Sequence, residues 1–98
     1  MKAMDIRILD LRLQNSGKPL RAFIDIAYGG LTIRDFRVIK ENSKRLIVAC
    51  PQLSWKDKTG FIKYKTLITF PDEIKGEIDR LILNAYHREM ETHNETAN

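Results

Sequence analysis

Cys50, His87 and His93 are the side chains whose chemistry would be most specific. Cys50 lies in an apolar segment with no base next to it in sequence, so a small buried hydrophobic residue is expected rather than a nucleophile. His87 and His93 fall on different faces of a helix, whereas a metal pair needs i, i+4 spacing. His87 and Glu91 have that spacing, but two ligands do not complete a metal site. The sequence predicts no catalytic residue, metal or cofactor.

Asp25 and Asp35 fall on neighbouring predicted strands, where two carboxylates could pair. Paired carboxylates can perform acid–base chemistry, but ordinary polar faces of the strands, or an ion pair with Arg21 or Arg34, are the stronger interpretation. Gly17-Lys18-Pro19 lacks the glycine spacing and the hydroxyl of a phosphate-binding loop. We therefore expect no enzyme and no small-molecule substrate.

Basic side chains are the stronger functional signal. Residues 1–71 hold 14 basic and 6 acidic side chains, a net charge of +8, whereas residues 72–98 hold 3 and 7, a net charge of −4. Such a basic region is typical of a protein that binds nucleic acid, although lysines also keep exposed sheet edges soluble. The clustered cations are Arg34, Arg37, Lys40, Lys44, Arg45, Lys56, Lys58, Lys63 and Lys65.

Aromatic residues alternate with the second group of lysines. Trp55, Phe61 and Tyr64 are placed as in proteins whose rings stack on bases beside a cationic groove. Tyr64 shares its parity with Ile62 and Ile68, so we expect it in the core. Trp55, in a predicted loop, is the better candidate for stacking, and a core cap or a dimer contact is the alternative.

Five strands, between about residues 5 and 70, must position these side chains. Alternating apolar residues predict strands at 5–13, 20–28, 31–40 and 62–70, with a bulge in 5–13 and another parity change near Arg34-Asp35. Leu46–Cys50 is apolar at every position, which predicts a central strand covered on both faces. Residues 52–60 are predicted as a loop. The short connections favour an antiparallel sheet.

The hydrophobic period changes after Pro71. Ile74, Ile78, Leu81, Ile82 and Ala85 form one apolar face of a helix, predicted over about residues 72–90. Residues 91–98 are polar, and we expect them to be frayed or disordered. The predicted fold class is α+β, an antiparallel sheet of about five strands followed by a C-terminal helix.

Length and composition limit the remaining possibilities. The 98 residues fit a single domain, 1–98. One cysteine excludes a disulfide scaffold, and Leu46–Cys50, the longest apolar run, is too short to cross a membrane. No secretory signal is visible, so we expect a cytoplasmic protein. A single helix covers only part of the sheet, which favours a homodimer.

Several segments resemble the SpoVG family, the stage V sporulation protein G septation regulators. Ile33–Ile39 is similar to the family's "hDIRVI" strand, and Leu46–Ala49 with Pro51 to its "lFVAMP" segment. Gly60-Phe61 stands where the family has a Gly-Glu-Phe type turn. Lys75-Gly76, with Leu83–His87, resembles its "RGKIQ…LNEYH" helix, and the opening MDIRILDLRL its "VTDVRLRRV" strand.

This resemblance implies a homodimeric, non-enzymatic regulator that binds DNA and RNA and modulates septation and sporulation gene expression. It also implies a nucleic-acid contact at the start of the helix, which corresponds to Lys75 and Gly76 in this sequence. Independently of the resemblance, the acidic helix leaves open a protein-interaction module that recruits a division or regulatory protein.

Overall fold

The computed structural model describes residues 5–14, 17–42 and 44–97, with side chains through Thr92. It confirms the α+β class: a four-stranded antiparallel sheet, a separate two-stranded sheet and a C-terminal helix. The elements are β1 (Ile6–Leu13), β2 (Leu20–Tyr28), β3 (Leu31–Lys40), β4 (Leu46–Ala49), β5 (Gln52–Lys56), β6 (Ile62–Thr66) and α1 (Asp72–Ala97).

The main sheet has the order β1-β2-β3-β4. Each strand pairs with its neighbour in the chain because the connections are short, as at Gly29-Gly30, where Gly29 adopts a φ of +58°. The predicted bulge in β1 is confirmed by a register shift between Ile8 and Asp10. The parity change near Arg34-Asp35 coincides with a register shift opposite Ile24 and Ile26.

One face of this sheet and α1 enclose the hydrophobic core. The alternation in β2 is the reason, since Ala22, Ile24 and Ile26 are fully buried against the helix residues Ile78 and Ile82. Burying each Ile stabilises the fold by about 1.5–3 kcal/mol. On the opposite face lie Asp25, between the buried Ile24 and Ile26, and Arg37, between the buried Phe36 and Val38.

The helix starts immediately after Pro71, whose carbonyl accepts a 2.9 Å hydrogen bond from the Lys75 N–H. Asp72 and Glu73 in the first turn complement the helix dipole. The helix continues past Met90 to Ala97, so the predicted frayed tail is wrong over these residues, because no Gly or Pro interrupts them. Asn98 lies outside the described residues. Within the described ranges, no helix has the apolar length to span a membrane.

The segment Leu46–Ala49 is an edge strand of the main sheet, so the prediction of a central strand is wrong. It pairs only with β3. Val48 belongs to the core, while Ile47 and Ala49 on the other face are half-buried. Apolar residues on both faces of a strand therefore report burial of each face and not the position of the strand in the sheet.

The chain leaves the main sheet at Pro51, and the loop predicted at 52–60 is wrong over its first part. Residues 52–56 form β5, and the strand predicted over 62–70 ends at Thr66. Both strands pair only with each other, as a proline without an N–H donor interrupts the ladder. The Leu67 N–H donates to the Pro51 carbonyl at 2.9 Å, and Phe70 returns to the core against Phe36, 6.1 Å between ring centroids.

Candidate nucleic-acid interface

The two-stranded sheet formed by β5 and β6, residues 52–66, is a basic ribbon. From Leu53 to Thr66 every side chain except Asp57 is exposed. Tyr64, expected in the core, is 60% exposed, so that prediction is wrong, because β6 pairs outside the main sheet. The ribbon brings Lys56, Lys58, Lys63 and Lys65 together with one carboxylate, that of Asp57.

Asp57 fixes the turn of the basic ribbon. Its Oδ1 atom accepts hydrogen bonds from Thr59 Oγ1 at 2.6 Å, the Thr59 N–H at 2.9 Å and the Phe61 N–H at 3.0 Å. These bonds, led by the Thr59 hydroxyl, hold the pKa of Asp57 below its usual value. Gly60 supplies the left-handed residue of the turn, with a φ of +88°. Asp57 therefore stays ionised and offsets one of the four lysine charges, which leaves the ribbon a net charge of +3.

The strand register places rings beside cations. Trp55 lies opposite Lys63, and Leu53 lies opposite Lys65, on one face of the basic ribbon. Trp55 is 46% exposed and belongs to a strand instead of the predicted loop. Cross-strand neighbours on one face are about 5 Å apart between Cβ atoms. A base stacked on the indole would therefore have a lysine within reach of its phosphate.

The lysines of the basic ribbon are nearly free of protein partners. Lys63 Nζ lies 3.9 Å from Asp57 Oδ2, a distance at which an exposed ion pair contributes little. Lys56, Lys58 and Lys65 form no ion pair with any described residue. Their charge is thus available to an external polyanion.

A second group of cations lies at the β3–β4 turn. Lys40 and Lys44 line a pocket together with Arg21, while the neighbouring Arg45 is exposed. Sequence reasoning missed Arg21 as a member of this group, since alternation places it on the face of Phe23. A register shift between Leu20 and Ala22 is the local irregularity at this position.

Arg34 and Arg37 lie on the charged face of the main sheet, apart from both groups. The Arg37 guanidinium lies 5.6 Å from the centroid of the Phe23 ring, a cation–π contact, and its Nε has no hydrogen-bond partner in the described part of the chain. Arg34 is exposed. The structure therefore distributes the predicted cations over the ribbon, the β3–β4 turn, this face and the helix start.

The two strand carboxylates, Asp25 and Asp35, are held by Arg12 and not by Arg21 or Arg34. Arg12 donates two hydrogen bonds to Asp25, at 3.0 and 3.1 Å, and one to Asp35 at 3.1 Å. Asp25 also accepts the Asp35 N–H at 3.0 Å. The Arg12 hydrogen bonds are the main reason that the pKa of Asp25 lies below its usual value. The prediction that these carboxylates form ion pairs is confirmed, but the predicted arginine partners are wrong.

Lys75 and Gly76, at the start of α1, differ in accessibility. Lys75 Nζ donates to the Val48 carbonyl at 2.9 Å and to the Asp79 carboxylate, and its side chain is 23% exposed. A Cβ atom added at Gly76 would meet nothing within 4 Å. Because glycine is unfavourable inside a helix, Gly76 predicts either a tight helix–sheet contact, the explanation we favour from the sequence, or a close nucleic-acid contact. The open space shows that the packing explanation is wrong for the described chain. Open space at Gly76 instead leaves its backbone approachable from outside.

The residues considered for catalysis are not assembled. Cys50 is half-buried, and desolvation raises its pKa, which makes the thiolate less available. The described residues contain no group of three His, Cys, Asp or Glu side chains that could hold a metal ion. The side chain of His93 lies outside the described residues.

Comparison with models of protein families and with curated proteins gives no match.

Proposed function

We propose that the protein is a nucleic-acid-binding regulator, binding DNA or RNA through the basic ribbon as a homodimer. The observation that carries this proposal is the exposure of four lysines and three aromatic rings on one two-stranded element with a single carboxylate. The resemblance of Ile33–Ile39 and of Leu46–Ala49 to SpoVG segments supports the same function and favours a role in septation or sporulation gene expression.

Electrostatics supplies the affinity in this proposal. Lys56, Lys58, Lys63 and Lys65 can each neutralise a phosphate and release its counterion. Four such contacts give a slope of log affinity against log salt of about −3.6. Binding should then weaken by roughly two orders of magnitude between 50 and 200 mM salt.

Shape supplies the orientation. A two-stranded ribbon fits the major groove of DNA, and exposed rings beside cations stack on the bases of single strands. Phe61 is 70% exposed at the turn, and Trp55 and Tyr64 lie on opposite faces of the ribbon. Because rings lie on both faces, we favour a single strand as the ligand. A flexible single strand can wrap around the ribbon, whereas a rigid duplex cannot.

The homodimer is supported by the apolar surface that the described chain leaves uncovered. Leu9 and Leu31 on the main sheet, and Leu53 and Ile62 on the ribbon, are large exposed hydrophobic residues. An isolated two-stranded hairpin is only marginally stable in water. A second copy would cover such surface and present two ribbons to one polyanion.

A protein-interaction module is the second candidate, favoured by the same exposed apolar residues. A protein partner that is retained after nuclease treatment, with no shift of DNA or RNA at low salt, would establish it in place of nucleic-acid binding.

Fluorescence anisotropy with labelled single-stranded and double-stranded pools tests the nucleic-acid proposal. Reversing Lys56→Glu and Lys65→Glu together should reduce binding at 50 mM salt by tenfold or more and should lower the salt slope by about 2. The matched control is Arg7→Glu with Lys18→Glu, the same charge change on exposed residues outside the ribbon. If both double variants lose the same affinity, the effect comes from net charge and the ribbon is not the binding site. Binding that does not depend on salt would refute the proposal.

A further inference from the structure

A pocket of about 300 Å³ lies between the β3–β4 turn and the later turns of α1. Three cations line it, Arg21, Lys40 and Lys44, and no Asp or Glu does. Its remaining walls are the apolar Leu46 and Met90, the buried Tyr86 and the imidazole of His87. The pocket is distinct from the basic ribbon, which contributes no residue to it.

The three cations have no anionic partner in the described part of the chain. None of them forms an ion pair with a described carboxylate. The Arg21 Nε atom is removed from solvent and has no hydrogen-bond partner among the described residues. Three positive charges that converge without a carboxylate repel one another, so an external anion bound among them would stabilise this arrangement.

The backbone at Lys44 gives a second, independent observation. Lys44 adopts a φ of +67°, the left-handed region that costs most residues energy and that glycine occupies freely. In the turn of the basic ribbon the corresponding position is held by Gly60. Strain retained at a residue that lines a pocket is the kind of outlier from which a hypothesis of function starts.

We infer that this pocket binds a phosphate monoester attached to a flat or apolar group, as in a nucleoside monophosphate. A monoester carries up to two negative charges, which three cations match better than the single charge of a phosphodiester or carboxylate. Arg21 supplies the planar donor group suited to phosphate oxygens. The volume is at the lower end for ligand pockets and suits one nucleotide, free or at the 5′ end of a strand.

Isothermal titration of the full chain with AMP, and with adenosine as the probe lacking phosphate, tests this inference. AMP should bind at least tenfold more tightly than adenosine. Lys44→Gly and Lys40→Ala should each weaken AMP binding by about tenfold, the loss expected for one charge-assisted hydrogen bond. Arg7→Ala, an exposed cation at the opposite end of the sheet, should bind AMP as the wild type does. Equal affinities for AMP and adenosine, or unchanged AMP binding by both pocket variants, would overturn it.

Oligonucleotides with a 5′-phosphate or a 5′-hydroxyl distinguish the two sources of the ligand. A preference for the 5′-phosphate that is lost in Lys44→Gly would identify the strand end, whereas AMP binding with no such preference would identify the free nucleotide. Lys56→Glu with Lys65→Glu should retain AMP binding. The experiments can therefore refute nucleotide binding in the pocket while the ribbon still binds nucleic acid. They can equally show nucleotide binding in the pocket without nucleic-acid binding by the ribbon.

Discussion

Replacement of Lys44 by glycine should stabilise the protein while it removes a cation. The β3–β4 turn closes through the Glu41 N–H to the Arg45 carbonyl at 2.8 Å and the Lys44 N–H to the Glu41 carbonyl at 2.9 Å. The ribbon turn has the same pair of bonds, from the Asp57 N–H to the Phe61 carbonyl at 2.9 Å and from the Gly60 N–H to the Asp57 carbonyl at 3.1 Å. Lys44 and Gly60 therefore hold equivalent left-handed positions, one occupied by a residue with a Cβ and the other by glycine.

The magnitude follows from two opposing terms. A left-handed conformation costs a residue with a Cβ roughly 1–2 kcal/mol. Glycine loses about 0.5–1 kcal/mol more backbone entropy on folding than other residues. The free energy of unfolding of Lys44→Gly should thus rise by about 0.5–1 kcal/mol. For a domain of this size, the expected increase in Tm is about 2–8 °C.

Thermal unfolding followed by circular dichroism measures this change. Lys44→Ala is the matched control, because it removes the same charge but keeps the Cβ, and it should show no comparable gain. The reverse change, Gly60→Ala, should loosen the ribbon, seen as a lower melting temperature of Trp55 fluorescence, since its Cβ would meet nothing within 4 Å and only the φ cost acts. A Lys44→Gly variant no more stable than Lys44→Ala would refute the assignment of strain.

Three further predictions concern the helix, the core and the charged face. Gly76→Ala should raise the free energy of unfolding by about 0.5–1 kcal/mol in denaturant titration, because its Cβ meets open space, and a loss of stability would show a contact that the structure lacks. Ile78→Ala should lower it by about 2–5 kcal/mol in the same assay, since Ile78 is fully buried, and a change below 1 kcal/mol would contradict its place in the core. Arg12→Met should flatten the pH dependence of stability. The pKa of Asp25 is lowered in the folded state, so its contribution is present above about pH 4 and is lost as pH falls through the lowered pKa. The free energy of unfolding is measured at several pH values below 5. If it changes with pH equally in the wild type and in Arg12→Met, the Arg12–Asp25 pair is excluded as the cause of the pH dependence.

Periodicity alone determined much of the fold. Period-two alternation located β1 to β3, the parity change in 5–13 identified a bulge, and the parity change near Asp35 coincides with a second register shift. The apolar spacing of Ile78 and Ile82 identified the helix face that packs on the sheet. These features were predictable because they depend on local backbone geometry and on which side of an element is buried.

Pairing partners and charge positions were decided by the tertiary structure. An exposed ribbon and a core strand can share one alternating pattern, so Tyr64 was assigned to the core although β6 pairs with β5 alone. The ion pair between Arg12 and Asp25 depends on the strand register and not on their spacing along the chain. Arg21, Lys40 and Lys44 meet in one pocket because a turn, a register shift and the helix converge there, residues distant in sequence whose proximity no local pattern encodes.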